Sequence, residues 1–131
     1  MPQDRDPWLG RNPMADLIGP FYDSAQVAAV LHCQVEDLVD WVHRGDLLGM
    51  QTADSIWVFP VFQFTSDHQI RSDLTPVLRL LANYDGWSVG VWLRSPKEHL
   101  DVATPESWLA AGGDPVLVHR LAGQAGFRWN A

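Results

Sequence analysis

Cysteine is nearly absent, with only Cys33 among 131 residues. An internal disulfide is therefore excluded, and the count suits a reducing compartment. One cysteine cannot build a zinc knuckle, and the five scattered histidines (His32, His43, His68, His99, His119) contain no His-Glu-x-x-His motif. No metal and no cofactor are expected. His32 and Cys33 are chain neighbours unsuited to sharing one catalytic centre, and no oxyanion or phosphate loop accompanies them, so an enzyme is not expected either. Apolar runs stay well short of the roughly 18 residues of a membrane span, and the opening MPQDRDPWLGRNP lacks a signal peptide's apolar centre. The expected location is the cytoplasm, with no membrane partner. Basic residues are also few. Nine Lys and Arg stand against sixteen Asp and Glu, and the net charge of -7 opposes unspecific binding to nucleic-acid phosphates.

What is present is a globular composition, 47% hydrophobic and 19% charged, too apolar for general disorder. Seven tryptophans serve equally as core fillers or interface anchors. Residues 1–20, with Pro2, Pro7, Pro13 and Pro20, read as a flexible N-terminal arm in which Trp8, Leu17 and Ile18 could dock. Charge divides the rest unevenly. Residues 21–64 carry Arg44 alone against Asp23, Glu36, Asp37, Asp40, Asp46 and Asp54, whereas residues 65–131 carry six basic against seven acidic groups.

Asp23 with Gln26 three residues on forms a capping-box pattern, and Val27, Val30 and Leu31 follow at helical spacing. After a break at His32–Gln34, a second helix is expected from about Val35 to His43, with Val35, Leu38, Val39 and Val42 buried and Gly45 ending it. Leu47 to Gln51 and Ile56 to Phe59 are strand-like around a turn at 52–55, and Pro60 closes the hairpin. Helix, turn, helix, hairpin is the order of a winged helix-turn-helix. The remainder reads as short helices opened by Thr75-Pro76, Asp85-Gly86, Thr104-Pro105 and Asp114-Pro115. The expected class is mainly α: a winged helix-turn-helix domain over 21–64, then a small helical bundle over 65–131.

The block YDSAQVAAVLHCQVEDLVDWVHRGDL resembles the excisionase and MerR type of helix-turn-helix, with Gly45 and Leu47 matching that motif's end. WVFPVFQF, the Leu-rich helix at 74–81 and VWLRSPKEHLDVATPESWLAAGGDPVLVHRLA are similar to the Xre/MbcA/ParS group of antitoxins. Trp92, Leu93, Pro96, Leu100 and Pro105 follow that group's motif, in structural positions. The resemblance implies a protein partner, a RES-type toxin that consumes NAD, and promoter binding by the N-terminal half. The group's usual N-terminal part is a Cro-like fold, from which a winged version departs.

Three functions follow as alternatives: an antitoxin and transcriptional regulator, a stand-alone DNA-binding protein with a C-terminal dimerisation domain, and a pure protein-interaction adaptor. On the second helix the outward positions are Glu36, Asp37, Asp40, His43 and Arg44, and carboxylates are repelled by phosphates. DNA would rely on Gln34, His43, Arg44 and, from the hairpin, Gln51 and Thr52, so binding is expected to be weak unless a homodimer doubles the contacts. The same face read blandly is a solvated or protein-packed one. Partner contacts are expected at Arg94, Lys97, Glu98 and His99 and on the tail, where Phe127, Arg128 and Trp129 follow Gly123 and Gly126 on a flexible end. The alternative is a tail folded back on its own core.

Overall fold

The computed structural model describes residues 13–130, with side chains described as far as residue 126. These residues form a mainly helical protein with one small antiparallel sheet. No described helix is long and apolar enough to cross a membrane.

The chain enters through α1, Pro13–Ile18, which occupies part of the expected arm. Its order has a simple cause. Ile18 is fully buried and sits against Gly90, where a β-carbon would come within 2.7 Å of Ile18 Cδ1. Burying one Ile side chain contributes about 2 kcal/mol. A cis Gly19–Pro20 peptide then leads into β1, Phe21–Asp23. This strand pairs antiparallel with β3, Trp57–Pro60, in the register Phe21 to Pro60 and Asp23 to Val58. The hairpin partner β2 is only Met50–Gln51, so β3 is central in the order β1-β3-β2.

Helix α2, Ser24–Leu31, carries the capping box: Asp23 Oδ1 accepts from the Gln26 amide at 2.8 Å, and Gln26 Oε1 accepts from the Asp23 amide at 2.9 Å. His32, at φ 56°, ends it. The second expected helix is broken into a 3-10 turn, Val35–Asp37, and α3, Leu38–His43. The tighter turn changes the phase of the side chains. Val35 is therefore 46% exposed instead of buried, and Leu38 alone is fully inside, with Val39 and Val42 half-buried. The Gln34 amide donates to Asp37 Oδ2 at 3.0 Å, which gives one carboxylate of the acidic run a structural task.

Beyond the sheet come a 3-10 turn at Val61–Gln63, α4 (Thr75–Leu80) and α5 (Gly86–Leu93). A 3-10 turn at Glu98–Leu100, α6 (Pro105–Ala110) and α7 (Pro115–Asn130) complete the chain. Asp85 and Thr104 cap α5 and α6 by accepting from the amides of Ser88 at 3.2 Å and Ser107 at 3.1 Å. Helix α7 passes through Gly123 and Gly126 without breaking, so the backbone of the expected flexible end is helical to Asn130. Gly126 packs closely on Tyr84: a β-carbon there would lie 3.1 Å from the Tyr84 hydroxyl oxygen, and that hydroxyl donates to Gly126 O at 2.9 Å.

Two apolar cores result. Val27, Leu38, Leu47, Phe59 and Phe64 form the smaller one, under α2 and α3. The larger gathers Ile18, Leu48 and Met50 with Leu74, Val77, Leu78, Leu93, Leu100, Leu109 and Val118. Leu47 and Leu48 thus serve different cores, and the hairpin is shared: Leu48 and Met50 pack with residues 65–131, Phe59 under α2 and α3. Gln63, 0% exposed, holds Leu48 in place within residues 21–64. Its Nε2 donates to Leu48 O at 2.8 Å and to Pro60 O at 3.2 Å, while its Oε1 accepts from the Leu48 amide at 2.8 Å. Every polar atom of that buried amide is used, as burial requires.

Candidate functional site

Two surfaces hold the residues singled out from the sequence. On the first, Gln34, Glu36, Asp37, Asp40, His43 and Arg44 are all exposed along the turn and α3. Gln51 and Thr52 lie on the hairpin, where they shape its turn: Gln51 Nε2 donates to Ser55 O at 3.3 Å, and Thr52 Oγ1 accepts from the Ile56 amide at 3.2 Å. Gln51 O accepts from Trp87 Nε1 at 2.8 Å, which ties the hairpin to α5.

Arg44 is not isolated. Its guanidinium lies 5.5 Å from the Trp41 ring centroid, within cation–π range, and its Nε donates to Asp46 Oδ2 at 3.0 Å. The other carboxylate oxygen, Oδ1, accepts from Nε and Nη2 of Arg79 at 3.1 and 2.8 Å. The hydrogen bonds from Arg79, helped by those from Arg44, hold the Asp46 carboxyl below the usual carboxylate range against the opposing effect of desolvation. Arg79 belongs to α4 and had no signal in the sequence, being 33 residues from the aspartate it meets. Cys33, in the turn before α3, has its thiol pushed up by desolvation and then by the Asp37 carboxylate, which makes it a poor nucleophile.

On the second surface the expected contact residues separate. Arg94 is engaged internally: Nη1 donates to Glu106 Oε1 at 2.8 Å, Nε donates to Leu17 O at 3.1 Å, and the guanidinium lies 5.1 Å from the Phe62 ring centroid. These bonds join α1, α5 and α6, so its role is to hold the fold together. Lys97 lies 5.2 Å from the Trp92 ring centroid. Glu98 and His99 are exposed. Lys97, Glu98 and His99 line one groove of about 220 Å³ with Trp92, Leu121 and Gln124. Of the motif residues, Trp92, Leu93, Leu100 and Pro105 are buried, whereas Pro96 is exposed. The side chains of Phe127, Arg128 and Trp129 lie outside the described residues.

Arg71, unremarked in the sequence, organises the other ionic cluster. It donates to Asp73 through Nε and Nη2 at 3.0 and 2.8 Å, and to Glu106 Oε2 through Nη1 at 2.9 Å. Among the described residues no three His, Cys, Asp or Glu side chains are grouped so as to hold a metal ion.

No protein-family model matches this chain, and no curated protein does. It is similar to a solved structure, the NMR structure of Rv2175c, with 25% sequence identity and a TM-score of 0.66 over 88% of this chain and 84% of that one.

Proposed function

We propose that the chain is a non-enzymatic DNA-binding regulator whose residues 21–64 work as a winged helix-turn-helix. One observation carries this reading: α2, the turn at 32–34, α3 and strand β3 pack on one small core, while Gln34, Glu36, Asp40, His43 and Arg44 all remain exposed along one stretch of chain. A helix presented this way fits the major groove, where Gln34 can address adenine and a carboxylate can accept from the cytosine amino group. Phosphate attraction is weak in residues 21–64, with one arginine against six acidic groups, so binding by a homodimer is the form that gives useful affinity.

The test is retardation of a duplex taken from the gene's own upstream region, against an unrelated duplex of equal length. Selective binding that weakens with salt and with Arg44→Ala is expected. Equal affinity for both duplexes, or none at low salt, rejects the reading.

A second reading is favoured by the groove beside His99, which brings together Lys97, Glu98 and His99 around an aromatic and an aliphatic wall. Such a surface suits a protein partner, and the antitoxin resemblance suggests a RES-type toxin. Co-production with a toxin encoded next to this gene should relieve its lethality. Continued lethality, with no co-purification, dismisses that partner.

A further inference from the structure

We infer that Arg79, from the C-terminal half, acts with Arg44 as a two-arginine clamp for backbone phosphate, with Asp46 as the residue that positions both. The inference rests on the winged-helix reading above and identifies where that surface obtains its missing cation. Residues 21–64 supply one arginine, and the fold brings the second from α4.

Three observations support the clamp. The two guanidiniums occupy opposite oxygens of one carboxylate, Arg44 on Oδ2 and Arg79 on Oδ1, which fixes their separation. Both remain largely open to solvent, at 58% and 62% side-chain exposure, while Asp46 between them is only 22% exposed. The cluster therefore presents cation outward and carboxylate inward, with a formal charge of +1. Only Nε of Arg44 is engaged by Asp46, which leaves its two terminal nitrogens off that carboxylate on a side chain 58% exposed, the pair of donors that suits a phosphate.

The backbone adds rigidity. Gly45, at φ +77°, seats the end of α3 directly on α4: a β-carbon there would lie 2.7 Å from Arg79 Cα and 2.9 Å from Leu78 O. Arg44, at the cap of α3, is thus held beside α4 by its neighbour Gly45, and the Trp41 ring beside Arg44 limits its freedom further. Ordering the side chains before binding lowers the entropy lost when a phosphate is gripped.

The experiment measures binding of the full chain to the upstream duplex between 50 and 200 mM salt, on the order used to read counterion release. Arg79→Ala is expected to lower the slope of log K against log salt by about 1 and to weaken low-salt binding severalfold. Arg79→Lys should keep the slope, because the charge remains. Arg120→Ala removes an exposed cation on α7 and should leave the slope unchanged. Asp46→Asn should weaken binding although it removes a negative charge, because the two forks lose their common anchor.

An unchanged slope in Arg79→Ala overturns the clamp, as does an equal loss of slope in Arg120→Ala, which would make net charge the whole effect. Tighter binding by Asp46→Asn overturns the positioning role. A wild-type chain that binds no duplex at 50 mM salt removes the DNA-binding reading and the clamp together. Binding that persists in Arg79→Ala with full slope removes the clamp alone.

Discussion

Two ionic clusters in this protein use the same side chains to different ends. Around Glu106, Arg71 and Arg94 face two carboxylates, counting Asp73, and the central pair is sheltered: the side chains of Arg71 and Glu106 are 12% and 13% exposed. Around Asp46, two arginines share one carboxylate and stand open to water. In the first the charges balance and the bonds reach backbone oxygens of Phe62 and Glu106, so the cluster staples the loop before α4 to α6. In the second a cation is left over. Location decides the role: shelter makes an ion pair structural, while exposure with an excess of one sign leaves it available for a partner.

Glu106→Ala should give the largest stability effect. It leaves Arg94 without a carboxylate and the well-sheltered Arg71 with Asp73 alone, and removing one partner of such a buried pair costs about 3 kcal/mol. Urea unfolding measures this. A loss under about 1 kcal/mol would put the sheltered cluster on the footing of a surface pair. Gly45→Ala comes next. A left-handed φ and a β-carbon placed 2.7 Å from Arg79 Cα together should cost about 2 kcal/mol and push α3 off α4. Nuclear magnetic resonance shifts should then move at Arg79 and not at Arg71. Equal movement at both would mean that the clusters are not independent.

Asp46→Asn should be the mildest near neutrality, under about 1 kcal/mol, as expected for exposed partners. Its effect lies in acid. The folded carboxyl titrates below the value of about 3.9 for an unfolded aspartate, so the unfolded chain takes up its proton first as pH falls. The Asp46 contribution is therefore whole above about pH 5 and is lost as pH drops through the depressed folded value. Unfolding followed from pH 6 to pH 3 should show a shallower decline for Asp46→Asn than for wild type. Parallel curves would contradict the assigned bonds.

Local chemistry was readable from the sequence at most short motifs, although Thr75, read as a cap, lies inside α4 behind Leu74 and caps nothing. Asp23 with Gln26, Asp85 before Gly86, and Thr104 before Pro105 were read as helix starts, and each side chain accepts from an amide three residues on. Elements set by distant contacts were not readable. Helix α1 exists because Ile18 meets Gly90, and prolines on either side made the segment look unstructured. Strand β1 is three residues long and is defined by its pairing with β3. Val35 obeyed helical spacing, yet the 3-10 turn rotated it into solvent. At the candidate site Gln34, His43 and Arg44 could be named from the helix pattern. Arg79 could not, because no periodicity within α4 reports which carboxylate lies across from it.

The burial of Leu48 and Met50 against α4 and α5 has a consequence for how this protein can be divided. A cut after residue 64 follows the apparent boundary between the helix-turn-helix segment and the helices beyond it. It would leave Leu48 and Met50, both at most 5% exposed in the intact chain, without their neighbours on α4 and α5. The freed fragment would present a greasy sheet face with a two-residue edge strand, a combination that invites self-association. Two-hybrid or crystallisation fragments ending there should precipitate or pair with themselves, and a duplication of this segment alone would not spread as an independent module.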